Sequence, residues 1–261
     1  MRILVTNDDG VHSPGLHVLA RALSDAGHHV FVVAPSGERS GASAAIGMLH
    51  RSGPFPVSSH DAIDVGGDVF AIDTTPAAIV YAACLGGFGP PPDLVASGIN
   101  PGPNTGHLVL HSGTVGAALT AAGLGIPGLA VSLGRIDGHT ETHWESAAAY
   151  AVAGIDWTLA ADRPIVTNIN VPNRPLDAIE GVEEARLAPY GSVWVGSSRP
   201  DGDTVVVEFG PTDVKPEPGT DLALVSAGFV AVTPLDGIAH AAVPGAADAL
   251  RLGVASVRAP H

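Results

Sequence analysis

Apolar runs and helical segments alternate along most of the chain, and this alternation is the feature that most constrains the fold. The first helical segment begins near Pro14 and carries Leu16, Leu19, Ala20 and Leu23 at the spacing of an amphipathic helix. The predicted strands cover residues 3–5, 29–34, 69–72, 93–97, 129–133 and 165–171, and the later predicted helices cover residues 76–85, 113–123 and 146–159. Strands separated by helices at this spacing predict an α/β fold with a mostly parallel, doubly wound sheet.

The C-terminal part of the chain has a different pattern. Between residues 187 and 209 the apolar segments are shorter and alternate with polar residues, which predicts a hairpin or arm that covers a site or pairs with another subunit. One further strand is predicted at residues 229–233 and a last helix at 246–252. We therefore expect one domain over residues 1–261, with a core of about 1–185 plus 220–261 and an arm of about 186–219.

The charge of the chain excludes some partners. Acidic residues outnumber Lys and Arg by 26 to 12, which gives a net charge of −14 and opposes binding of a nucleic-acid polymer. The one cysteine, Cys84, lies in an apolar stretch and is expected to be a buried structural thiol. Met1 leads directly into the first strand and no apolar run is long enough to span a bilayer, so we expect a cytoplasmic protein with no signal peptide and no membrane partner.

Polar residues follow the predicted strands. The first strand is followed directly by Asn7-Asp8-Asp9-Gly10, which is either a simple turn or a site for a hard cation. Three further polar clusters lie at or after predicted strand ends: Ser40-Gly41, Asn100 with Asn104, and Ser112-Gly113-Thr114. Because the carboxyl ends of parallel strands share one edge of a sheet, these clusters can converge. Their oxygens suit Mg²⁺, Mn²⁺ or Ca²⁺ better than Zn²⁺ or copper.

The Ser112-Gly113-Thr114 cluster stands at the start of a predicted helix. Backbone N–H groups there could hold a phosphate, whereas the alternative is that Ser112 and Thr114 only cap the helix. For this motif alone, capping is the better interpretation. A metal next to a phosphate cradle would indicate phosphoryl transfer to water.

Together these clusters resemble the SurE (survival protein E) family of metal-dependent 5′-nucleotidases and phosphatases. The resemblance rests on motifs that run in order over nearly the whole chain. They are Ile3-Leu-Val-Thr-Asn-Asp-Asp-Gly10, Ala34-Pro35 with Ser40-Gly-Ala-Ser43, Ser97-Gly-Ile-Asn-Pro-Gly-Pro-Asn104, Ser112-Gly-Thr-Val115, Asn168-Ile-Asn-Val-Pro172, Thr220-Asp221, Gly228-Phe229 and Val232-Thr-Pro-Leu235.

The resemblance implies roles for individual residues. It makes Asp8 and Asp9 catalytic and implies that Asp8, Asp9, Ser40 and Asn100 bind one divalent cation per subunit, Mg²⁺ or Mn²⁺, with Ca²⁺ as a non-productive occupant. The residues it places around the substrate phosphate are Gly41, Asn104, Ser112, Gly113 and Thr114. It also implies a Rossmann-like three-layer α/β/α fold, a C-terminal arm exchanged between subunits, and a homodimer or homotetramer.

The sequence departs from the family pattern near the expected substrate. His107, Leu108 and His111 stand where the family usually has an acidic pair and a tyrosine, and residues 74–79 read Thr-Thr-Pro-Ala-Ala-Ile where the family often has Gly-Thr-Pro-Ala-Asp-Cys. We expect His107 and His111 to alter the substrate pocket or a subunit contact beside it. His12 could reach the phosphate or its leaving group; the alternative is a solvated loop histidine.

The resulting hypothesis is a divalent-metal-dependent phosphomonoesterase that hydrolyses nucleoside 5′-monophosphates by attack of water. One alternative is a SurE-like protein that binds a nucleotide without turnover or acts on another phosphoester. A nucleotide-sugar glycosyltransferase is a further alternative, because the segment Arg21-Ala-Leu-Ser-Asp-Ala-Gly-His-His-Val30 resembles the start of such enzymes, although the chain is short for two binding halves. The residues after the first strand lack the G-x-G-x-x-G pattern of a dinucleotide-binding oxidoreductase.

Overall fold

A computed structural model describes residues 1–47, 49, 54–60, 65–136, 141–191, 193–211 and 215–238, with the backbone alone for residues 193–196, 209 and 211. The predicted helix at 246–252 lies outside the described residues.

A nine-stranded sheet forms the centre of the molecule. Its strands lie in the order β3-β4-β2-β1-β5-β6-β7-β11-β8. These strands are β1 (Arg2–Thr6), β2 (His29–Pro35), β3 (Val57–Ser59), β4 (Val69–Ile72), β5 (Leu94–Asn100), β6 (Gly128–Leu133), β7 (Val166–Val171), β8 (Gly181–Glu184) and β11 (Phe229–Leu235). The strands from β4 to β7 in this order are parallel, whereas β3 runs antiparallel to β4, and β11 runs antiparallel to β7 and parallel to β8. The predicted mostly parallel sheet is confirmed.

Helices cover both faces of this sheet. They are α1 (Pro14–Asp25), α2 (Pro76–Cys84), α3 (Gly113–Gly123), α4 (Trp144–Ala160) and α5 (Asp221–Ala227), with short 3-10 helices at Gly106–His111 and Leu176–Ala178. In β1, Ile3 and Val5 point into the core shared with α1 and α4, whereas Leu4 between them points into the core shared with α2 and α3. The layers are therefore helix, sheet and helix, as the sequence predicts.

The strand order reverses beside β1. The chain proceeds from β1 outward through β2 to β4, and then returns to the other side of β1 to form β5. In open α/β sheets ligands bind outside the carboxyl ends of the strands at such a reversal. The segments that follow β1 and β5 therefore lie where a ligand site is expected.

Some elements differ from the sequence-based prediction. The strand predicted at residues 93–97 continues to Asn100, with an irregular register between Ser97 and Asn100 against β6. Gly98 allows this continuation because it adopts a φ of +135°, and a Cβ there would lie 2.3 Å from the carbonyl oxygen of Val131. Strands β3 and β8, helix α5 and the 3-10 helices were not predicted.

The predicted arm contains a two-stranded antiparallel hairpin. It consists of β9 (Val193–Asp201) and β10 (Thr204–Pro211), which pair with each other and form a separate sheet. On β10, Val205 is 67% exposed and Val207 is 46% exposed.

Candidate active site

A tight turn fixes the residues that follow β1. The buried Asn7 accepts a hydrogen bond from the Gly10 amide at 3.2 Å and donates its own amide to the Gly10 carbonyl at 3.1 Å. Gly10 adopts a φ of +101°, which favours glycine. The turn interpretation of this motif and the site interpretation are therefore compatible, because the turn is what presents Asp8 and Asp9 at the edge of the sheet.

Asp8 lies against the N-terminus of α3. Its carboxylate is buried and accepts the Gly113 amide at 3.2 Å and the Thr114 hydroxyl at 2.6 Å. The Thr114 hydroxyl also lies 3.3 Å from Oδ1 of Asn100 at the end of β5. A Cβ at position 113 would lie 2.6 Å from Oδ2 of Asp8, so this close approach requires glycine. Four of the predicted site residues are thus brought together.

Asp9 is the least satisfied polar group of the site. Its Oδ2 atom is buried and has no hydrogen-bond partner among the described residues. Burial, and then the charges of Asp8 and Glu38, raise the pKa of Asp9 to about 7. Burial also raises the pKa of Asp8, against the opposing hydrogen bonds from Thr114 and Gly113. The site therefore contains two neighbouring carboxylates, and Oδ2 of Asp9 is an oxygen that a positively charged ligand would satisfy.

Ser40 and Gly41 lie in the loop that follows β2. Both are exposed, and the Ser40 hydroxyl donates to Oε1 of Glu38 at 2.8 Å. The neighbouring Arg39 amide donates to the carbonyl of Asp8 at 2.6 Å, which ties the loop to the site. Residues 38–42 line an open cavity of about 430 Å³ beside it.

Asn104 is attached to the ends of β6 and β7. Its side-chain amide donates to the Ser132 hydroxyl at 2.8 Å, and its backbone amide donates to Oδ1 of Asn170 at 2.8 Å. The side-chain amide of Asn100, nearer the carboxylates, donates to the Gly102 carbonyl at 2.7 Å. The polar loop between Asn100 and Asn104 is therefore held at both ends.

The predicted phosphate cradle at the start of α3 has other partners in the structure. The Ser112 side chain accepts the Val115 amide at 3.1 Å and caps the helix, in agreement with the capping interpretation. The Gly113 amide and the Thr114 hydroxyl point to Asp8. The positive end of the helix thus faces a carboxylate that belongs to the protein itself.

The three candidate histidines are exposed. His12 makes an edge-to-face contact with His60, with the ring centroids 5.3 Å apart. His107 and His111 lie on the 3-10 helix between the polar loop and α3. Among the described residues, no hydrogen bond joins these three to the carboxylates.

Sequence reasoning missed several residues that shape the site. Glu38, in the same loop as Ser40, adds negative charge near Asp8 and Asp9 and was not among the predicted site residues. The roles of Asn168 and Asn170 were also missed, although the alternation of polar and apolar residues in Val-Thr-Asn-Ile-Asn-Val could have marked a polar face of a buried strand.

Asp221 was missed for a different reason. It is fully buried at the start of α5 and accepts three backbone amides, from Gly106 at 2.8 Å, Ala188 at 2.9 Å and Leu222 at 2.8 Å. Asp221 thereby joins Ala188, near the start of the arm, to Gly106, the first residue of the 3-10 helix beside the site. A pair of residues separated by more than 100 positions in sequence gives no local signal of such a bond.

The donor set fits a hard divalent cation. The orphaned, buried oxygen of Asp9 next to Asp8 is what a cation would satisfy, and Asn100 and Ser40 offer neutral oxygens. In the part of the chain that the structure describes, no group of three or more His, Cys, Asp or Glu side chains is placed to hold a metal ion. A cation here would therefore depend on the amide and hydroxyl oxygens as well as the two carboxylates.

The fold and the site define an α/β protein with paired carboxylates at the strand reversal of a Rossmann-like sheet. The family model "Survival protein SurE" matches residues 3–191. The 5′/3′-nucleotidase SurE of Escherichia coli O157:H7 and that of Shigella boydii serotype 18 are each 41% identical over 254 residues, which is 93% of both chains. The crystal structure of the SurE protein from Aquifex aeolicus matches with a TM-score of 0.75 at 30% identity, over 97% of this chain and 100% of that one. The chain belongs to the SurE family.

These matches confirm the resemblance and the fold class drawn from the sequence motifs. They do not favour a glycosyltransferase. Among the described helices, none is long and apolar enough to cross a membrane.

Proposed function

We propose that this protein is a divalent-metal-dependent phosphomonoesterase that hydrolyses nucleoside 5′-monophosphates to nucleoside and phosphate. The observation that carries the proposal is the pair Asp8 and Asp9, with its raised pKa values and one orphaned buried oxygen, at the strand reversal. The family relatives named as 5′/3′-nucleotidases support it, since they align over 93% of the chain.

Asp8, Asp9, Ser40 and Asn100 would hold one Mg²⁺ or Mn²⁺ per subunit, and Ca²⁺ would be a non-productive occupant. Such a cation would offset the charge of the phosphoryl group and favour ionisation of the attacking water. The chain's own contribution is orientation. The Thr114 hydroxyl and Gly113 amide fix both oxygens of Asp8, while Oδ2 of Asp9 has no hydrogen-bond partner among the described residues.

The family resemblance places Gly41, Asn104, Ser112, Gly113 and Thr114 around the substrate phosphate. Since Gly113 and Thr114 already donate to Asp8, we assign them mainly an indirect role and expect Gly41, Asn104 and the Ser112 hydroxyl to touch the phosphate. His12, His107 and His111 would border the rest of the substrate.

We also propose that the chain is one domain that works in the cytoplasm as a homodimer or homotetramer. The exposed valines of β10 support a role for the hairpin in contact between subunits.

The test is phosphate release from a panel of nucleoside 5′- and 3′-monophosphates and small phosphoesters, in Mg²⁺, Mn²⁺ or EDTA. We expect release from 5′-monophosphates that EDTA abolishes and added metal restores. Asp9→Asn is the matched control, since it removes one charge at nearly constant size. Release that persists in EDTA, or no release from any ester by folded protein with Mn²⁺ bound, would overturn the proposal.

A further inference from the structure

Strand β7 carries a polar face inside the molecule. Asn168 and Asn170 are both fully buried and alternate with Ile169 and Val171, which belong to the core under α1 and α4. Val166, on the same face as the asparagines, lies in the apolar core beside α3. The apolar face of the strand therefore becomes polar only towards its carboxyl end, next to the site.

Among the described residues, the side-chain amides of both asparagines form their hydrogen bonds with one residue, Asn104. The Asn170 side chain accepts the backbone amide of Asn104 at 2.8 Å and donates to its carbonyl at 3.0 Å, and Asn168 donates to the same carbonyl at 3.0 Å. On the neighbouring strand β6, the buried Ser132 accepts the side-chain amide of Asn104 at 2.8 Å. We call Asn104, Asn168, Asn170 and Ser132 the amide cluster.

The amide cluster is costly for the fold. Burying an amide is unfavourable unless each polar atom has a partner, and Oδ1 of Asn168 has none among the described residues. Apolar side chains at both positions would extend the neighbouring core and avoid this cost, but they would leave the backbone N–H and C=O of Asn104 without these partners. The cluster is therefore better explained by what it does to Asn104 than by a contribution to stability.

We propose that Asn168 and Asn170 are positioning residues that fix the backbone of Asn104 so that its side chain meets the substrate phosphate in one orientation. This inference rests on the proposed function, in which Asn104 touches the phosphate. Asn170 fixes both backbone polar groups of Asn104, and Asn168 reinforces the carbonyl alone. The two residues should therefore have graded effects, with Asn170 the larger.

The test compares three variants of one strand. Asn170→Leu removes both bonds of Asn170, and Asn168→Leu removes one bond to the carbonyl. Thr167→Val is the matched control. Thr167 lies on the opposite face of the same strand, and the substitution removes a buried hydrogen bond of 2.6 Å between its hydroxyl and that of Thr158 in α4. For each variant, kcat, KM, the inhibition constant of inorganic phosphate, the melting temperature and hydrogen exchange of the loop amides at Gly102, Asn104 and Thr105 are measured.

For Asn170→Leu we expect KM and the inhibition constant of phosphate to rise at least about tenfold while kcat changes less, since an interaction made in both ground and transition states is lost. Asn168→Leu should raise both about threefold, and Thr167→Val should change neither although its melting temperature falls. Exchange in the loop should accelerate in the asparagine variants alone. If Asn170→Leu does not fold, Asn168→Leu decides the question by the same criteria.

Unchanged KM and phosphate inhibition in folded asparagine variants, with melting temperatures that fall as in Thr167→Val, would reduce the cluster to a structural element and overturn the inference. Failure of the proposed function would be seen separately, because the wild-type protein would then release no phosphate. Even if the wild type released no phosphate, equal hydrogen exchange of the loop in the wild type and in both asparagine variants would contradict the claim that Asn168 and Asn170 fix the backbone of Asn104.

Discussion

Two carboxylate sites in this molecule differ in how far hydrogen bonds from the surrounding protein satisfy their oxygens. Asp221 receives three backbone amides at 2.8–2.9 Å. Asp8 and Asp9 lie side by side near Glu38, and one oxygen of Asp9 receives nothing from the described residues. Both groups are in loops or at element ends near the same 3-10 helix, so location alone does not separate them.

We use this difference to distinguish a structural carboxylate from the carboxylates that the proposed function assigns to a metal ion. A buried carboxylate whose oxygens are satisfied by backbone amides stabilises the arrangement of those segments. Asp8 is buried and Asp9 is half-buried, and one oxygen of Asp9 has no partner among the described residues. Such a pair of like charges costs stability in the protein alone, and binding of a positively charged partner offsets this cost. Burial therefore gives little information by itself, whereas the balance of hydrogen-bond partners is informative.

The largest effect is expected from Asp9→Asn. This change removes a negative charge that the proposed cation would bind. We therefore expect kcat/KM for a nucleoside monophosphate to fall at least about 1000-fold, the loss that corresponds to several kcal/mol of charge stabilisation. The melting temperature of the metal-free protein should stay the same or rise, because repulsion with Asp8 is relieved. Steady-state kinetics and thermal unfolding without metal measure both. Full activity in Asp9→Asn and in Asp8→Asn would contradict the assignment.

Asp221→Asn should have the reverse profile. The amide can no longer accept at both of its positions, so a buried backbone N–H is left facing an N–H₂ group, at a cost of about 2–3 kcal/mol in the free energy of unfolding. Mn²⁺ affinity should stay within about threefold of the wild type, because Asp221 is not part of the carboxylate pair. Chemical denaturation and calorimetric titration measure these quantities. Loss of Mn²⁺ binding in folded Asp221→Asn would show that the two groups are not separate.

A smaller, pH-dependent effect should distinguish the pair further. The pKa of Asp9 is raised from 3.8 to about 7, so between these values the folded, metal-free protein retains a proton that the unfolded chain has lost. The free energy of unfolding should therefore fall as the pH rises from about 4 to about 7. Mn²⁺ affinity should rise over the same range, since the cation needs the ionised carboxylate. Thermal unfolding with and without Mn²⁺ tests this, and an identical pH profile in Asp9→Asn would refute it.

The sequence was sufficient to predict the core architecture and the residues at the strand ends. Alternating strands and helices with clear apolar spacing predicted β1, α1 and β2 close to their observed bounds, and the abrupt change after β1 marked Asp8 and Asp9. The short strands β3 and β8 were missed because almost all of their residues are exposed and form no apolar run, whereas the equally short β4 is apolar and was predicted.

The contacts between distant segments could not be predicted from local patterns. The direction of the Thr114 hydroxyl towards Asp8 depends on how closely α3 approaches β1, which Gly113 permits. Similarly, the asparagines of β7 could be recognised as a polar face, but their common partner, Asn104, is more than 60 residues away in the chain. These contacts depend on tertiary packing. The motif alone favoured helix capping, and the phosphate role of Thr114, which the family resemblance implied, stays a prediction.

The most direct test of the central claim is anomalous diffraction from crystals grown with Mn²⁺. The account predicts one strong anomalous peak per chain within coordination distance of Asp8 and Asp9, with Asn100 and Ser40 as neighbouring oxygens, and no peak at Asp221. A peak located elsewhere, such as at His12 and His60, with none at the carboxylate pair would contradict the account.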